Sequence, residues 1–146
     1  MPTDIIRIIS KKKVLAVIIK AKFKQDGLKF FVPDEYPQQL GYMKRPRGYL
    51  IASHMHRPVL RRIKLAQEVL FIRKGKVRID FYDEKKYYLE SRIVKQGDII
   101  FLAFGGHGFE FMQDAEMIEV KQGPFFKGAQ PIRFEPVSKD KIKLKK

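Results

Sequence analysis

The spacing of its apolar runs is the feature of this 146-residue chain that most restricts its fold. Short apolar or alternating stretches follow one another with turn residues between them, and a helical repeat of apolar residues is nearly absent. The strand candidates are "DIIRII", "VLAVIIKAKF", "LKFFV", "YLIASHMH" and three strands within "EVLFIRKGKVRIDFYDEKKYYLESRIV", and "QGDIIFLAF" and "HGFEFMQDAEMIEVKQG" together supply two or three more. Many short strands at this spacing predict an all-β sandwich or barrel.

The length predicts a single domain, and the composition predicts a globular one. Residues 1–146 are long enough for one core, and 45% of them are hydrophobic. We expect the barrel to cover about residues 14–135. The stretch "PDEYPQQLGYMKRPRG" is expected to be irregular, and the basic tail, residues 138–146, to be frayed.

Several features of the sequence bear on where the protein works. No apolar run approaches the roughly 20 residues of a membrane span. At the N-terminus "MPTDIIRIISKKK" has its apolar stretch before its basic one, the reverse of a secretory signal. We therefore expect a cytoplasmic protein without a membrane partner. The absence of cysteine excludes disulfides, thiolate metal sites and a cysteine nucleophile.

The chain is strongly basic, with 31 Lys and Arg against 16 Asp and Glu and a net charge of +15. Such a balance can indicate nucleic-acid binding. However, the basic residues are scattered through every segment, and no recognition helix, zinc finger or RNA-binding signature is visible. A solvated lysine-rich surface and an anionic small-molecule ligand fit this distribution better than a specific nucleic-acid partner.

The three histidines of the chain are candidates for a metal site. His54 and His56 lie two residues apart in a predicted strand, so their side chains should point the same way. That pair alone fits two hydrogen-bonded histidines as well as two metal ligands. Glu68 begins an apolar run, where an inward-facing carboxylate requires a partner. His107 follows two glycines that allow the chain to reverse.

The positions of these residues resemble the two motifs of the cupin superfamily. Gly48, His54, His56, Glu68 and Gly75 fit the first motif, although eleven residues separate His56 from Glu68 where three or four are usual. The second motif is matched by Gly97, Gly105 and His107. Ala103 stands there in place of proline and Phe111 in place of asparagine, and the gap before His107 is one residue short.

The resemblance implies a cupin-type double-stranded β-helix, that is, a jelly-roll barrel. Its metal ligands would be His54, His56, Glu68 and His107, and Gln67 would face the other side of the strand. Three nitrogens and one carboxylate leave open positions on one divalent transition metal, Fe, Mn, Ni or Zn. The similar small single-domain cupins include some that are linked with sugar and surface-polysaccharide pathways.

Three classes of function fit this pattern. The first is a metal enzyme with isomerase-like or oxygenase-like chemistry on an oxygen-rich metabolite. The second is a metal-free isomerase or epimerase of nucleotide sugars, against which stands the lack of a histidine outside the metal positions. The third is a module that binds or senses a small molecule without catalysis.

The remaining candidates concern the ligand and the partner. Arg61 and Arg62, in the long gap of the first motif, are the candidates for holding a phosphate or carboxylate, although such a charge run is often a solvated face. Tyr49 and Phe109 are candidates for lining the pocket. Glu119 and Lys121 share one face of a strand, which fits either the site or solvent. We expect a homodimer formed through "DIIRII", because an apolar terminal strand has an edge to cover.

Overall fold

The computed structural model describes residues 3–129 and 131–146, and these form strands joined by turns. The strands are β1 Ile5–Ser10, β2 Lys13–Ile19, β3 Gly27–Phe30, β4 Gly41–Lys44, β5 Glu68–Lys74, β6 Lys76–Tyr82, β7 Tyr88–Lys95, β8 Ile99–Leu102, β9 Gly106–Phe111, β10 Glu116–Lys121 and β11 Leu144–Lys145. One 3-10 turn covers Lys139–Lys141, and the described residues contain no α-helix. The predicted all-β class is confirmed.

The strands form two main sheets and one hairpin. The five-stranded sheet has the order β1-β2-β8-β5-β10 and the four-stranded sheet the order β11-β7-β6-β9, while β3 pairs with β4. Neighbouring strands are antiparallel except for β11, which runs parallel to β7. The three-strand prediction for the segment from Glu68 onward is correct, with the breaks at Gly75 and at residues 83–87.

The main core lies between the two sheets. Leu70 and Ile72 of β5 face Ile79 and Phe81 of β6, and all four are at most 3% exposed. Buried residues at every second position are what period-2 alternation requires of strands that pack face to face.

A second core covers the opposite face of the five-stranded sheet. Val69 and Phe101 pack there against Phe31 and neighbouring apolar residues of the segment that contains β3 and β4. Because β2, β5 and β8 are covered on both faces, they read as continuous apolar runs in the sequence and not as alternating ones.

The strand predicted for "YLIASHMH" is wrong. Residues 45–67, which we name the arm, contain no strand, and nearly all of them are exposed. A strand needs a neighbour to pair with, and among the described residues the arm pairs with no strand of its own chain. The stretch expected to be irregular, in contrast, contains β4, which pairs with β3 from Gly41 to Lys44.

The prediction of a frayed tail is also wrong. Leu144 and Lys145 pair with β7, and the backbone N–H of Ser91 donates to the carbonyl of Lys143 at 2.9 Å. The hydroxyl of Tyr88 accepts a hydrogen bond from the backbone N–H of Lys143, and the hydroxyl of Tyr82 accepts one from Val137, directly before the tail. The periodicity of the sequence did not indicate that the C-terminal segment would be held in place, because the tyrosine hydroxyls that bind its backbone are far away in the sequence.

The sheet edges matter for the site. In the described part of the chain, β9 and β10 each have a neighbouring strand on one side only. The strand predicted at "DIIRII" is present as β1 and pairs with β2 in the same chain, so its inward face is already covered. Among the described residues there is no helix with the length and hydropathy that a membrane crossing requires.

Candidate functional site

The alternation of β5 places Glu68 at the open end of the main core. Glu68 shares the face of Leu70 and Ile72, which point between the sheets. Gln67 points the opposite way, and its side-chain oxygen accepts a hydrogen bond from the backbone N–H of Gln38 at 3.1 Å. The strand therefore has the register expected from the sequence, in which Glu68 faces the interior.

His107 reaches the same place from the other sheet. It lies opposite Phe81 in the β6–β9 pair, and Phe81 points into the main core. Gly105 makes the approach to β9 possible: its φ is +76°, and a Cβ there would lie 2.5 Å from the carbonyl oxygen of Tyr82. Nε2 of His107 lies 3.5 Å from a carboxylate oxygen of Glu68.

Two residues of β10 complete the group. Lys121 pairs with Glu68 across the strands, and its Nζ lies 3.4 Å from the second carboxylate oxygen. Glu119 lies on the same face of β10 as Lys121, and its carboxyl group is a near neighbour of the Glu68 carboxylate. We name the space between the β9 and β10 edges, lined by Glu68, His107, Glu119 and Lys121, the cleft.

The environment of the cleft shifts two of these groups in opposite directions. Burial lowers the pKa of His107 below its ordinary value, and the nearby Lys121 ammonium lowers it further, while Glu119 opposes this. Burial raises the pKa of Glu119, and the neighbouring Glu68 carboxylate raises it further. At neutral pH the cleft thus favours a neutral imidazole beside a carboxyl group that keeps its proton more readily than usual.

Phe109 lies beside His107, with the ring centroids 5.4 Å apart. It is 37% exposed, which suits a residue at the wall of an open pocket. His107 also borders a cavity of about 270 Å³, one wall of which is formed by residues 131–136. The cavity is lined by Tyr82, His107, Gly108, Pro131, Ile132, Arg133, Phe134 and Pro136.

The other predicted site residues lie on the arm. His54 and His56 are exposed neighbours, with ring centroids 5.3 Å apart. Nδ1 of His54 lies 2.8 Å from the carbonyl oxygen of Ala52. If Nδ1 carries the proton for this bond, Nε2 has its lone pair free, which is the arrangement common in metal-binding histidines.

The arm residues predicted to hold the ligand are also exposed. Tyr49 stacks under the guanidinium of Arg45, 4.6 Å from the ring centroid. Arg61 reaches only the carbonyl of Val59, at 3.4 Å, and Arg62 lies in the same extended segment. The structure therefore brings together Glu68, His107 and Phe109, whereas His54, His56, Tyr49, Arg61 and Arg62 remain outside the cleft.

The donors of one chain do not fit a metal ion as they stand. The described residues contain no group of three or more His, Cys, Asp or Glu side chains that could hold one. Both carboxylate oxygens of Glu68 face a nitrogen, and the Lys121 ammonium opposes a cation. A metal in the cleft would need the two arm histidines in addition to Glu68 and His107.

Glu119 and Lys121 belong to the cleft, and the sequence left this open. Their shared face in an alternating strand was visible, but alternation does not tell which face is inward when both carry polar residues. The contribution of residues 131–136 had no signal in the sequence, because an irregular segment can pack against any part of the surface.

Comparison of the chain with models of known families finds no match, and neither do comparisons with curated proteins and with solved structures. Membership of the cupin superfamily therefore stays a prediction from the motif residues.

Proposed function

We propose that the cleft binds a small oxygen-rich or anionic metabolite, a sugar derivative first, in a metal-dependent cupin that acts as a homodimer. The observation that carries this proposal is the meeting of Glu68 and His107. These residues come from different sheets and are 3.5 Å apart at the open end of the core. The core beside Glu68 and His107 is apolar, so these two polar side chains add little to its packing. A role in binding a ligand accounts for their presence better.

The chemistry of the cleft supports a ligand with several oxygens. Lys121 can donate hydrogen bonds to a phosphate, carboxylate or hydroxyl, and Glu119 can donate one in its protonated form. Phe109 offers an apolar wall against which the face of a sugar ring can pack. Groups whose environments push their pKa values in opposite directions are typical of sites that move protons.

The metal part of the proposal requires four ligands: His54, His56, Glu68 and His107. These three imidazoles and one carboxylate would hold a divalent ion of Fe, Mn, Ni or Zn, and such an ion would offer open positions to an oxygen donor and polarise a carbonyl. The role of the chain's own residues is then to orient the ligand through Lys121 and the arginines of the arm. A cupin that binds or senses a metabolite without catalysis would use the same groups.

A second candidate is a metal-free isomerase or epimerase of sugar derivatives. The observation that favours it is the neutral His107 within reach of carboxyl groups, in a cleft that contains no metal-binding cluster among the described residues. In this case Nε2 of His107 would take a proton from the hydroxyl-bearing carbon next to a carbonyl and return it to the carbonyl carbon, while the hydroxyl proton passes to the former carbonyl oxygen. A sugar derivative would again be the ligand, and Lys121 would again donate hydrogen bonds to its oxygens.

Metal analysis separates the two candidates. Protein purified without a histidine tag is dialysed against Fe, Mn, Ni and Zn in turn, and the metal content is measured by element-resolved mass spectrometry. The metal-dependent proposal expects about one ion per subunit and a large loss in His107→Ala, with Gln38→Ala as a control outside the cleft. Wild-type protein that retains no ion from any of the four solutions would favour the metal-free candidate.

A further inference from the structure

We propose that the arm of one copy pairs with the β9 edge of a second copy, and that the exchange is reciprocal. The arm would bring its His54 and His56 to the partner's Glu68 and His107. The role given to the histidines rests on the proposed function, whereas the pairing of arm and edge does not.

The arm has the character of a segment that is buried in the native assembly. Leu50, Met55 and Leu60 are 88%, 92% and 87% exposed. Tyr49, Ile51, Val59 and Leu65 are at least half exposed as well. Such an accumulation of apolar surface in one segment marks an interaction site in a folded protein.

The backbone of the arm is equally unpartnered. Between residues 48 and 60 the described structure has one backbone hydrogen bond, from the N–H of Tyr49 to the carbonyl of Pro46 at 3.2 Å. Residues 49–57 contain no proline, so no N–H is missing there and the alternate N–H groups that face a sheet edge can all pair with it. Pro58 ends this stretch, because proline has no N–H to donate.

The β9 edge offers what the arm lacks. β9 pairs with β6 on one side, and on the other side its backbone has no strand beside it in the described part of the chain. Phe109 and Phe111 face the same side as His107, and Phe111 is 53% exposed. An unpaired edge with exposed aromatic side chains is a template for the addition of another strand.

The charges of the two surfaces are complementary. Residues 45–66 contain no acidic residue, but they carry six basic ones: Arg45, Arg47, Arg57, Arg61, Arg62 and Lys64. The cleft carries two carboxylates, Glu68 and Glu119, beside one ammonium, Lys121. Glu110 does not add to them, because it lies on the other face of β9 and pairs with Arg78 at 2.7 Å. Carboxylates thus outnumber ammonium groups in the cleft, in a chain with a net charge of +15, and this favours a basic segment over an acidic one.

The distribution of apolar residues over the two faces of the arm favours a second copy over the same chain. In an extended arm Leu50 shares a face with the two histidines, while Ile51 and Met55 share the opposite face. Addition to one sheet edge would direct one face into the cleft and leave the other in water. The body of a second copy can cover the other face of the arm. When the exchange is reciprocal, the assembly is complete as a dimer, because each copy supplies one arm and one edge.

The pairing is tested first without metal. Hydrogen exchange of the full chain is followed by mass spectrometry in the presence of EDTA at high and low protein concentration, with the molar mass measured by light scattering. We expect a dimer whose amides 49–57 and 106–111 are protected, and the loss of both protections when dilution produces monomer. A monomer with an unprotected arm would overturn the proposal. So would a monomer with a protected arm, since the arm would then bind its own chain.

Subunit complementation tests the composite site. One chain carries His54→Ala and His56→Ala, the other carries Glu68→Gln, and the mixed dimer is isolated through two different tags that contain no histidine. An exchanged arm leaves one intact site in each mixed dimer, so we expect about half the wild-type metal content per subunit. A metal content near zero would place both halves of the site in one chain and overturn the proposal. Wild-type dimers that are protected at the arm but bind no metal would refute the proposed function alone.

Discussion

Gln67, directly before β5, and Glu68, the first residue of β5, have opposite tasks, and replacing each in turn should separate folding from binding. Gln67 is 3% exposed and holds the N–H of Gln38 through its side-chain oxygen. In Gln67→Ala the half-buried N–H of Gln38 loses its partner and the contacts of the buried Gln67 side chain are lost, which costs about 1–3 kcal/mol of unfolding free energy. For a domain of this size the melting temperature should fall by about 2–12 °C, while the metal and ligand affinities stay nearly unchanged.

Glu68→Gln should show the reverse. The substitution keeps the shape of the side chain and removes its charge. The ion pair with Lys121 contributes little, because the Lys121 side chain is 49% exposed, so the unfolding free energy should change by less than about 1 kcal/mol. Loss of the carboxylate next to Glu119 also removes one of the causes that raise the pKa of Glu119. That pKa should therefore fall, yet stay above its ordinary value because burial persists.

Both variants are measured in the same way. Thermal and urea unfolding give the stability, element-resolved mass spectrometry gives the metal content, and carbon NMR of the glutamate carboxyl groups follows Glu119. The reasoning predicts a stable Glu68→Gln that lacks metal and a weakened Gln67→Ala that keeps it. A Glu68→Gln variant that loses several kcal/mol of stability would show that Glu68 serves packing, and the reverse order of metal contents would show that β5 has shifted by one residue.

Three further predictions concern other parts of the chain. Burial lowers the pKa of His107, so the imidazole of the unfolded chain binds a proton more tightly than that of the folded chain. The free energy of unfolding should therefore fall as the pH drops below about 6.5. Urea unfolding at several pH values should show a smaller fall for His107→Gln than for the wild type. Asp98 is 1% exposed and pairs with Lys20 at 2.6 Å, and chemical denaturation of Asp98→Ala should show a loss of about 3 kcal/mol. Arg62→Ala should weaken the binding of a sugar phosphate by about 1.5–3 kcal/mol in calorimetry, with the metal content unchanged. Lys143→Ala should do almost nothing, and equal losses in the two variants would reduce Arg62 to general surface charge.

The strands were predictable where local pattern decides the structure. The runs that became β2, β5 and β8 are apolar on both faces, and Gly75 marks the turn between β5 and β6 through its φ of +81°. The inward orientation of Glu68 also followed from alternation, since its neighbour Gln67 necessarily points the other way.

The arm shows why the rest could not be predicted. Its alternating apolar residues are typical of a strand, but a strand forms only where an edge is available, and the sequence does not say which chain supplies that edge. The tail shows the opposite case: its lysines suggested a frayed end, but its backbone is held by the hydroxyl of Tyr88, and that of Val137 directly before it by the hydroxyl of Tyr82. Both outcomes depend on partners that are distant in the sequence or belong to another copy.

The most direct test of the central claim is a crystal structure of the untagged, metal-loaded protein, with diffraction data collected at the absorption edge of the bound metal. We expect one anomalous peak per subunit in the cleft, between Glu68 and His107, with the imidazoles of His54 and His56 from the arm of the partner copy completing the ligand set. A cleft without a peak, or a peak whose ligands do not include Glu68 and His107, would contradict the claim that these residues form a metal site.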